Sequence, residues 1–189
     1  MASGRNNRVV ILNGSPRRQG NTAVVLGWLE AALKKRGLAI ERYDLYWLSV
    51  LGCAHCDHCK HFQREPACRL RDPFRPVLDR LVRARAIVVA SPVYCWSVSG
   101  CTGAALDRFY SLFKDRGCLF AGKKLAGVFT AGGDAFDGMD LCVDMLKRIC
   151  DYGQAEYAGT LAGGNCDRPS DTRRRKDLKK AAEDLAAAL

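Results

Sequence analysis

Short runs rich in aliphatic residues alternate with segments of helical periodicity along most of the chain. The runs predict five strands, which cover residues 8–12, 38–45, 86–90, 125–130 and 156–161. Apolar positions at helical spacing predict helices over 21–36, 139–152 and 171–189. One further helical stripe consists of Leu106, Phe109, Tyr110 and Phe113. Strands separated by helices predict an α/β fold, with a parallel sheet covered on both faces.

The handedness of the connections narrows the topology. Right-handed crossovers favour a five-stranded sheet of order 2-1-3-4-5, in which ligands bind beyond the carboxyl ends of the strands. The loops after strands one, three and four are therefore the candidate site. A chain of 189 residues fits a single domain, so we predict one domain over 1–189 that ends in a helix. The stretch at about 47–76 breaks the alternation and is predicted to be a Cys-rich insertion.

The loop after the first strand reads Asn-Gly-Ser-Pro-Arg-Arg-Gln-Gly-Asn-Thr over residues 13–22 and opens directly into a helix. Backbone N–H groups and the positive end of the helix dipole favour a phosphate there. Ser15, Arg17, Asn21 and Thr22 offer further donors, and two glycines permit close backbone approach. The loop lacks the lysine of a Walker A motif and the glycine spacing of a dinucleotide fingerprint. The alternative is an ordinary turn with serine and asparagine as helix caps.

The stretch 47–76 carries four cysteines and all three histidines. Cys53, Cys56 and Cys59 are three residues apart, and Cys68 follows after eight intervening residues. Such thiolates can hold a four-iron cluster, as in bacterial ferredoxins. Zinc is an alternative, because His55, His58 and His61 interleave with the thiols and mixed Cys/His sites suit zinc. The third alternative is that these thiols bind no metal.

Three segments together resemble the NADPH-dependent FMN reductase superfamily, and within it the iron–sulfur flavoproteins. They are Gly-Ser-Pro-Arg with Gly-Asn-Thr over 14–22, Ser-Pro-Val-Tyr-Cys-Trp-Ser-Val-Ser-Gly over 91–100, and Thr-Ala-Gly-Gly over 130–133. The resemblance extends over nearly the whole chain and implies a flavodoxin-like three-layer sandwich that binds FMN. The second segment would wrap the flavin ring and the third would approach its other side. The implied cofactor-binding residues are Ser15, Arg17, Asn21, Thr22, Pro92, Val93, Tyr94, Trp96, Ser97, Gly132 and Gly133.

The resemblance also bears on the cysteines, because iron–sulfur flavoproteins carry a compact cysteine motif at this location. It implies a 4Fe-4S cluster with Cys53, Cys56, Cys59 and Cys68 as ligands, although the gap before Cys68 is slightly longer than is usual in the family. The implied activity is an FMN-dependent oxidoreductase that takes electrons from NADH or NADPH. The acceptor would be a quinone, another small molecule or the cluster. The flavin N5 would receive the hydride, so no catalytic side chain is predicted.

Two other functions stay open at this point. A flavin with a cluster would also suit an electron carrier between partner proteins such as ferredoxin, and the net charge of +10 would favour an acidic partner. A non-enzymatic zinc or nucleic-acid module is the other alternative, although no known nucleic-acid-binding motif is present. Relatives imply a homodimer or homotetramer. The N-terminus shows no secretion signal and no run is long enough to cross a bilayer, so a cytoplasmic protein with reduced thiols is expected.

Overall fold

Eight strands and five α-helices are found in residues 7–169 and 171–189, which are the residues that this computed structural model describes. The strands are β1 (Arg8–Asn13), β2 (Ala39–Asp44), β3 (Ala86–Tyr94), β4 (Ser97–Val98), β5 (Phe113–Lys114), β6 (Gly117–Cys118), β7 (Lys124–Thr130) and β8 (Glu156–Gly163). The helices are α1 (Asn21–Lys35), α2 (Arg75–Arg83), α3 (Gly100–Asp107), α4 (Met139–Gly153) and α5 (Lys176–Ala188).

The central sheet is parallel and has the order β2-β1-β3-β7-β8. When the five long strands are numbered alone, this is the predicted order 2-1-3-4-5, so the flavodoxin-like α/β fold is confirmed. Three short strands were not predicted. β4 pairs antiparallel with the end of β3, and β5 and β6 form a separate hairpin.

The alternation of side chains along each strand divides the core into two layers. On β1, Val9 and Ile11 belong to the cluster that contains the apolar faces of α1 and α5. Val10 and Leu12 belong to the opposite cluster, which contains buried residues of α2, α3 and α4. All four side chains are fully buried, as expected for an interior strand of a parallel sheet. Because both faces are covered, the open positions for a ligand lie at the ends of the strands.

Two predicted helices differ from the structure. The stripe at 106–113 is not one helix: α3 ends at Asp107, a 3-10 turn follows at Arg108–Ser111, and Phe113 begins β5. Of its aromatic residues, Phe109 is buried in the core, where its ring centroid lies 5.6 Å from that of Phe120. The predicted helix 171–189 is a 3-10 turn at Asp171–Arg174 followed by α5.

The Cys-rich stretch contains little regular structure. A 3-10 turn at Leu45–Leu48 follows β2, and in the described range 49–74 the only regular element is a second 3-10 turn at His58–His61. Among all the residues that the structure describes, no helix is long and apolar enough to cross a bilayer.

Candidate functional site

A cleft of about 230 Å³ lies beyond the carboxyl ends of the central strands. Eight of the eleven predicted cofactor-binding residues line it: Ser15, Arg17, Asn21, Thr22, Pro92, Val93, Tyr94 and Gly132. The other three, Trp96, Ser97 and Gly133, are not in its lining. Gly20 and Thr130 also line the cleft and lie in two of the predicted segments, whereas the sequence analysis missed Cys166 and Asp167. Cys166 and Asp167 follow β8, so attention to the carboxyl end of the fifth strand would have found them.

The loop after β1 is held in shape by its own side chains. The Ser15 N–H donates to Asn13 Oδ1 at 3.1 Å, and the Arg17 N–H donates to Ser15 Oγ at 3.3 Å. The Asn13 amide in turn donates to Asp44 Oδ1 at 2.7 Å, at the end of β2. These contacts fix the loop before any ligand binds, which lowers the entropy cost of binding.

Helix α1 begins at the cleft without a side-chain cap, with Gly20 in the N-cap position. The serine and asparagine caps of the ordinary-turn alternative are therefore not formed. The backbone N–H groups of the first helical turn have no partner inside a helix, so an anion in the cleft would meet them together with the helix dipole. Thr22 in that turn places its hydroxyl 2.7 Å from the hydroxyl of Thr130 at the end of β7.

Asn21 has a different role from the one predicted. Its amide nitrogen donates to the carbonyl oxygens of Cys166 at 2.7 Å and Arg168 at 2.8 Å. Its Oδ1 accepts from both the backbone N–H and the hydroxyl of Thr172, at 3.3 and 3.0 Å. The four bonds use the full capacity of the side chain. The amide of Asn21 thus joins the start of α1 to the loop after β8, and only its backbone N–H remains for an anion.

Gly14 also contributes differently than expected. A Cβ at this position would fall 1.7 Å from Thr102 Oγ1 and 2.6 Å from Ser99 Oγ. The Ser99 hydroxyl donates to the Gly14 carbonyl oxygen at 2.8 Å. The close backbone approach that glycine permits here is therefore to the start of α3, and it fixes the loop after β1 against that helix.

The segment expected to wrap a flavin ring is a strand extension and a tight hairpin. β3 continues through Tyr94, and a two-residue turn at Cys95 and Trp96 leads into β4, where Ser97 pairs with Tyr94. Both turn residues have positive φ, 48° and 58°. This conformation favours Asn-Gly and costs roughly 1 kcal/mol or more for other residues. Strain of this kind persists where the surrounding structure holds it, often at functional sites.

Neighbouring elements hold this hairpin at the edge of the cleft. Gly138, before α4, packs so closely that a Cβ on it would lie 2.5 Å from Trp96 Cα. Tyr94 lines the cleft and is 46% exposed, and Trp96 is 62% exposed. Trp96 lines an adjoining pocket that shares Val93 and Gly132 with the cleft. Two aromatic side chains thus stand at the cleft edge with open faces.

The two glycines after β7 face different surroundings. A Cβ on Gly132 would lie 3.5 Å from Asp167 Oδ1, across the cleft wall. A Cβ on Gly133 would fall 2.2 Å from Asp137 Oδ2, and the Gly133 carbonyl accepts the Asn165 N–H. The missing side chain of Gly132 therefore leaves space at the cleft. The missing side chain of Gly133 instead leaves space for Asp137 in the same loop.

A second, smaller pocket brings together the four cysteines predicted as metal ligands. Cys53, Cys56, Cys59 and Cys68 all line it. The turns between them use positive φ at His55 (47°) and Asp57 (53°). The His55 N–H donates to the sulfur of Cys53 at 3.4 Å. The backbone therefore turns sharply at His55 and Asp57, between cysteines that line the same pocket.

Two lysines fix this segment to the β5–β6 hairpin. Lys60 Nζ donates to the Phe113 carbonyl oxygen at 2.8 Å, and Lys114 Nζ donates to the Cys59 carbonyl oxygen at 2.8 Å. Burial raises the pKa of the Cys59 thiol, while these two ammonium groups act in the opposite direction. Both lysines thus supply positive charge where thiolates would need it.

Tyr110 provides another brace. Its hydroxyl donates to Asp57 Oδ1 at 2.8 Å, and this hydrogen bond raises the pKa of Tyr110 to about 12. Its ring lies under Lys60 Nζ, 3.8 Å from the centroid, and meets the His55 ring edge-on.

The sequence analysis missed the pair of Arg108 and Asp72. The guanidinium of Arg108 donates to both Asp72 oxygens, at 2.8 and 3.2 Å, and to the Leu51 carbonyl oxygen at 3.0 Å. Arg108 is fully buried and Asp72 is 4% exposed. Burial acts to raise the pKa of Asp72, but the hydrogen bonds and charge of Arg108 and the Leu51 N–H outweigh it and lower that pKa. The pair connects the two ends of the Cys-rich stretch.

The three histidines do not join the thiols in a single-ion site. Among the described residues, no three His, Cys, Asp or Glu side chains converge closely enough to hold one metal ion. Tetrahedral zinc would need sulfurs about 3.8 Å apart. A four-iron cluster binds each thiolate at a different iron, so its ligand sulfurs stand wider apart. The four thiols line one pocket, but no metal-binding group is formed among the described residues.

Comparison with known proteins identifies the family of the chain. The NADPH-dependent FMN reductase family matches residues 7–162. An iron–sulfur flavoprotein of Archaeoglobus fulgidus is 32% identical over 138 residues, which make up 73% of this chain and 68% of that protein.

Solved structures share the fold at lower identity. The Trp repressor binding protein of Bacillus subtilis has a TM-score of 0.68 at 20% identity, covering 94% of this chain and 99% of that one. An FMN-dependent NADH-azoreductase of Bacillus anthracis, solved with FMN, has a TM-score of 0.68 at 16% identity, covering 95% and 98%. The family match spans most of the chain, including the cleft residues that follow β1, β3 and β7 and the cysteine stretch. The chain thus belongs to the NADPH-dependent FMN reductase family of oxidoreductases, and its sequence is similar to iron–sulfur flavoproteins.

Proposed function

We propose that this chain is a single-domain FMN-dependent oxidoreductase that takes electrons from NADH or NADPH and passes them to a four-iron cluster, a quinone or another small acceptor. The observation that carries the proposal is the cleft. An uncapped helix start, a preformed loop and open aromatic faces meet there at the carboxyl ends of the strands. That combination suits a phosphate joined to a large flat ring.

Individual residues have distinct tasks in this proposal. The first-turn N–H groups of α1 and the Arg17 guanidinium hold the phosphate, and the Ser15 hydroxyl keeps the loop in shape. Pro92, Val93 and Tyr94 form a wall for the ring, with Trp96 at its edge. When bound, FMN supplies a hydride acceptor and an electron donor, and the protein binds, orients and shields it.

The proposed cluster ligands are Cys53, Cys56, Cys59 and Cys68. Their common pocket and the N–H donated to the Cys53 sulfur support this assignment, as does the similarity to a protein named iron–sulfur flavoprotein. Reduced thiols are needed for such a cluster, so we place the protein in the cytoplasm.

Absorption spectroscopy of anaerobically purified protein, with iron and sulfide analysis, tests both cofactors. We expect flavin bands, and four irons and four sulfides per chain after anaerobic reconstitution. Arg17→Gln is expected to weaken FMN binding about tenfold. This corresponds to a loss of about 1.4 kcal/mol of binding free energy from one charge-assisted hydrogen bond. Arg18→Gln is the neighbouring control, because Arg18 stacks on Trp47 instead of lining the cleft. A colourless protein that does not take up FMN would refute the proposal.

An electron-carrier role is the second candidate. Cys56 is exposed and Cys53 is partly exposed, so a cluster at this pocket would lie near the surface, within reach of a partner protein. The net charge of +10 would favour an acidic partner such as ferredoxin. Fast reduction by ferredoxin with negligible NAD(P)H–quinone turnover would support this role. The family is one of oxidoreductases, so a non-enzymatic zinc or nucleic-acid module is not proposed.

We also propose assembly into a homodimer or homotetramer. Trp96 (62% exposed), Phe136 (83%) and Leu141 (54%) are large apolar side chains left open to solvent, and exposed apolar surface can mark a contact between subunits. Analytical ultracentrifugation of the native protein and of Phe136→Ser measures this, and a monomeric native protein would exclude it.

A further inference from the structure

Arg108 is fully buried, and its side chain forms part of the wall of the cysteine pocket. It reaches the pocket from the 3-10 turn that follows α3. A buried cation is costly unless its charge is paired and its N–H groups are satisfied. An arginine has five such N–H groups. Each of them needs an acceptor when the side chain is buried.

Three of the four N–H groups on the two Nη atoms of the guanidinium are engaged by the protein. Asp72 accepts from Nη1 and Nη2, and the Leu51 carbonyl oxygen accepts from Nη1. The Leu51 N–H donates to the same carboxylate at 3.0 Å. These contacts fix the orientation of the guanidinium, and they come from residues on either side of the cysteine motif.

The Nε–H group is different, because it is buried and has no hydrogen-bond partner. A buried donor left without an acceptor is costly, because it has lost its hydrogen bonds to water. Among the residues that line the pocket with Arg108 are the four thiols. Cys68 and Arg108 line the same pocket. Burial acts to lower the pKa of Arg108, but the interactions with Asp72 and Cys68 outweigh it and raise that pKa.

We propose that Arg108 donates its Nε–H to a sulfur of the bound cluster or of its Cys68 ligand, and that its positive charge favours the reduced cluster. This inference rests on the proposed function, since it requires the four-iron cluster. When both cofactors are bound, reduced FMN would supply one electron to the cluster, and no bond or proton would change place at Arg108. Reduction adds one negative charge, which a nearby N–H donor and cation stabilise.

The test compares the midpoint potentials of the cluster and the flavin in one protein. Arg108→Gln combined with Asp72→Asn removes both charges, so no unpaired carboxylate stays buried. At the wild-type midpoint, we expect the oxidised-to-reduced ratio of the cluster to rise about tenfold, which corresponds to a fall of about 59 mV for one electron. The flavin potential should stay the same, because Arg108 does not line the flavin cleft. An EPR-monitored titration with parallel absorption spectra measures both.

Lys180→Gln with Asp184→Asn is the control. It removes one positive and one negative charge from an exposed pair on α5 that lines neither the cysteine pocket nor the flavin cleft. Wild-type cluster and flavin potentials are expected in this control.

The outcomes separate the inference from the proposed function. A cluster that assembles with an unchanged potential in the Arg108 variant, or one that shifts equally in the control, would overturn the inference and leave the cluster assignment standing. A wild-type protein that binds FMN but assembles no cluster would overturn both. If the double variant keeps FMN and loses the cluster, the cluster potential of Arg108→Lys tests the inference. It retains a charge beside Asp72 but lacks the Nε–H group at that position, so a lowered potential supports the inference and a wild-type potential refutes it.

Discussion

The amide of Asn21 is hydrogen-bonded to Thr172, which lies 151 residues further along the chain, with 3.0 Å between Oδ1 and the hydroxyl oxygen. The same side chain also binds the carbonyl oxygens of Cys166 and Arg168. A residue in the motif that resembles a phosphate loop thus acts as a brace between the first helix and the loop after the last strand. Since that loop supplies two residues of the cleft wall, the shape of the cleft depends on this brace.

Asn21→Ala is therefore expected to reduce stability and FMN affinity together. Truncation leaves the buried Cys166 carbonyl, the partly buried Arg168 carbonyl and the buried Thr172 hydroxyl without their partner, which costs about 1–3 kcal/mol. Urea unfolding of the FMN-free protein measures the stability, and flavin fluorescence quenching measures the affinity. Asn7→Ala is the control, because Asn7 makes a single exposed hydrogen bond to the Gly37 carbonyl. Equal effects of the two substitutions would contradict the brace.

Sequence patterns predicted the sheet well because each strand carries its own signal. The β-branched run at 86–90 is buried on both faces, and the helices between strands restrict the order by handedness. Ser91 to Tyr94 lack that signal, so the extension of β3 and the hairpin after it were not predicted. The positive φ values at Cys95 and Trp96 could not be anticipated, because glycine or asparagine would normally mark such a turn.

The site was predicted in composition but not in detail, because its decisive contacts join residues far apart in sequence. The partners of Asn21 lie 145 to 151 residues away, and Arg108 finds Asp72 across 36 residues. In the sequence, Arg108 lies within an apolar stripe and looks like an exposed helical residue. Only the fold shows that it is buried and that it faces the thiols.

Gly14→Ala should destabilise the protein without contact to any ligand. The added methyl group would lie 1.7 Å from Thr102 Oγ1, and overpacking of a buried site costs about 1–3 kcal/mol. Thr102→Ala makes room, so the double variant should lose less than the sum of the two single losses. A double-mutant cycle by urea unfolding measures this coupling. Strictly additive losses of unfolding free energy would show that contact with Thr102 is not the reason for glycine at position 14.

The hairpin at Cys95 and Trp96 should gain stability when its strained residues are replaced. Trp96→Gly and Cys95→Asn each suit positive φ and are expected to stabilise the FMN-free protein by about 1 kcal/mol. Only Trp96→Gly is expected to weaken FMN binding, since it removes an aromatic face at the cleft edge. Thermal unfolding and FMN titration of both variants measure the two effects. Loss of FMN affinity in Cys95→Asn alone would contradict this assignment.

The buried thiols of Cys142 and Cys150 should make stability fall at alkaline pH. Burial is the main cause that raises the pKa of each to about 11, from an ordinary value of 9.0. Between these values the unfolded chain releases protons that the folded chain keeps, so the free energy of unfolding decreases as pH rises. The contribution is complete below pH 9 and is lost through pH 11. Urea unfolding from pH 8 to 10.5, in reductant, measures the slope.

Cys142→Ala with Cys150→Ala should flatten that slope, although removal of two buried side chains lowers stability at every pH. Cys95→Ala is the control, because its thiol is exposed, and it should keep the wild-type slope. Iodoacetamide labelling at pH 8 gives an independent measurement, in which Cys95 reacts readily and the two buried thiols react only after unfolding. Rapid labelling of Cys142 in the folded protein, or an unchanged slope in the double variant, would show that α4 does not shield these thiols as the structure describes.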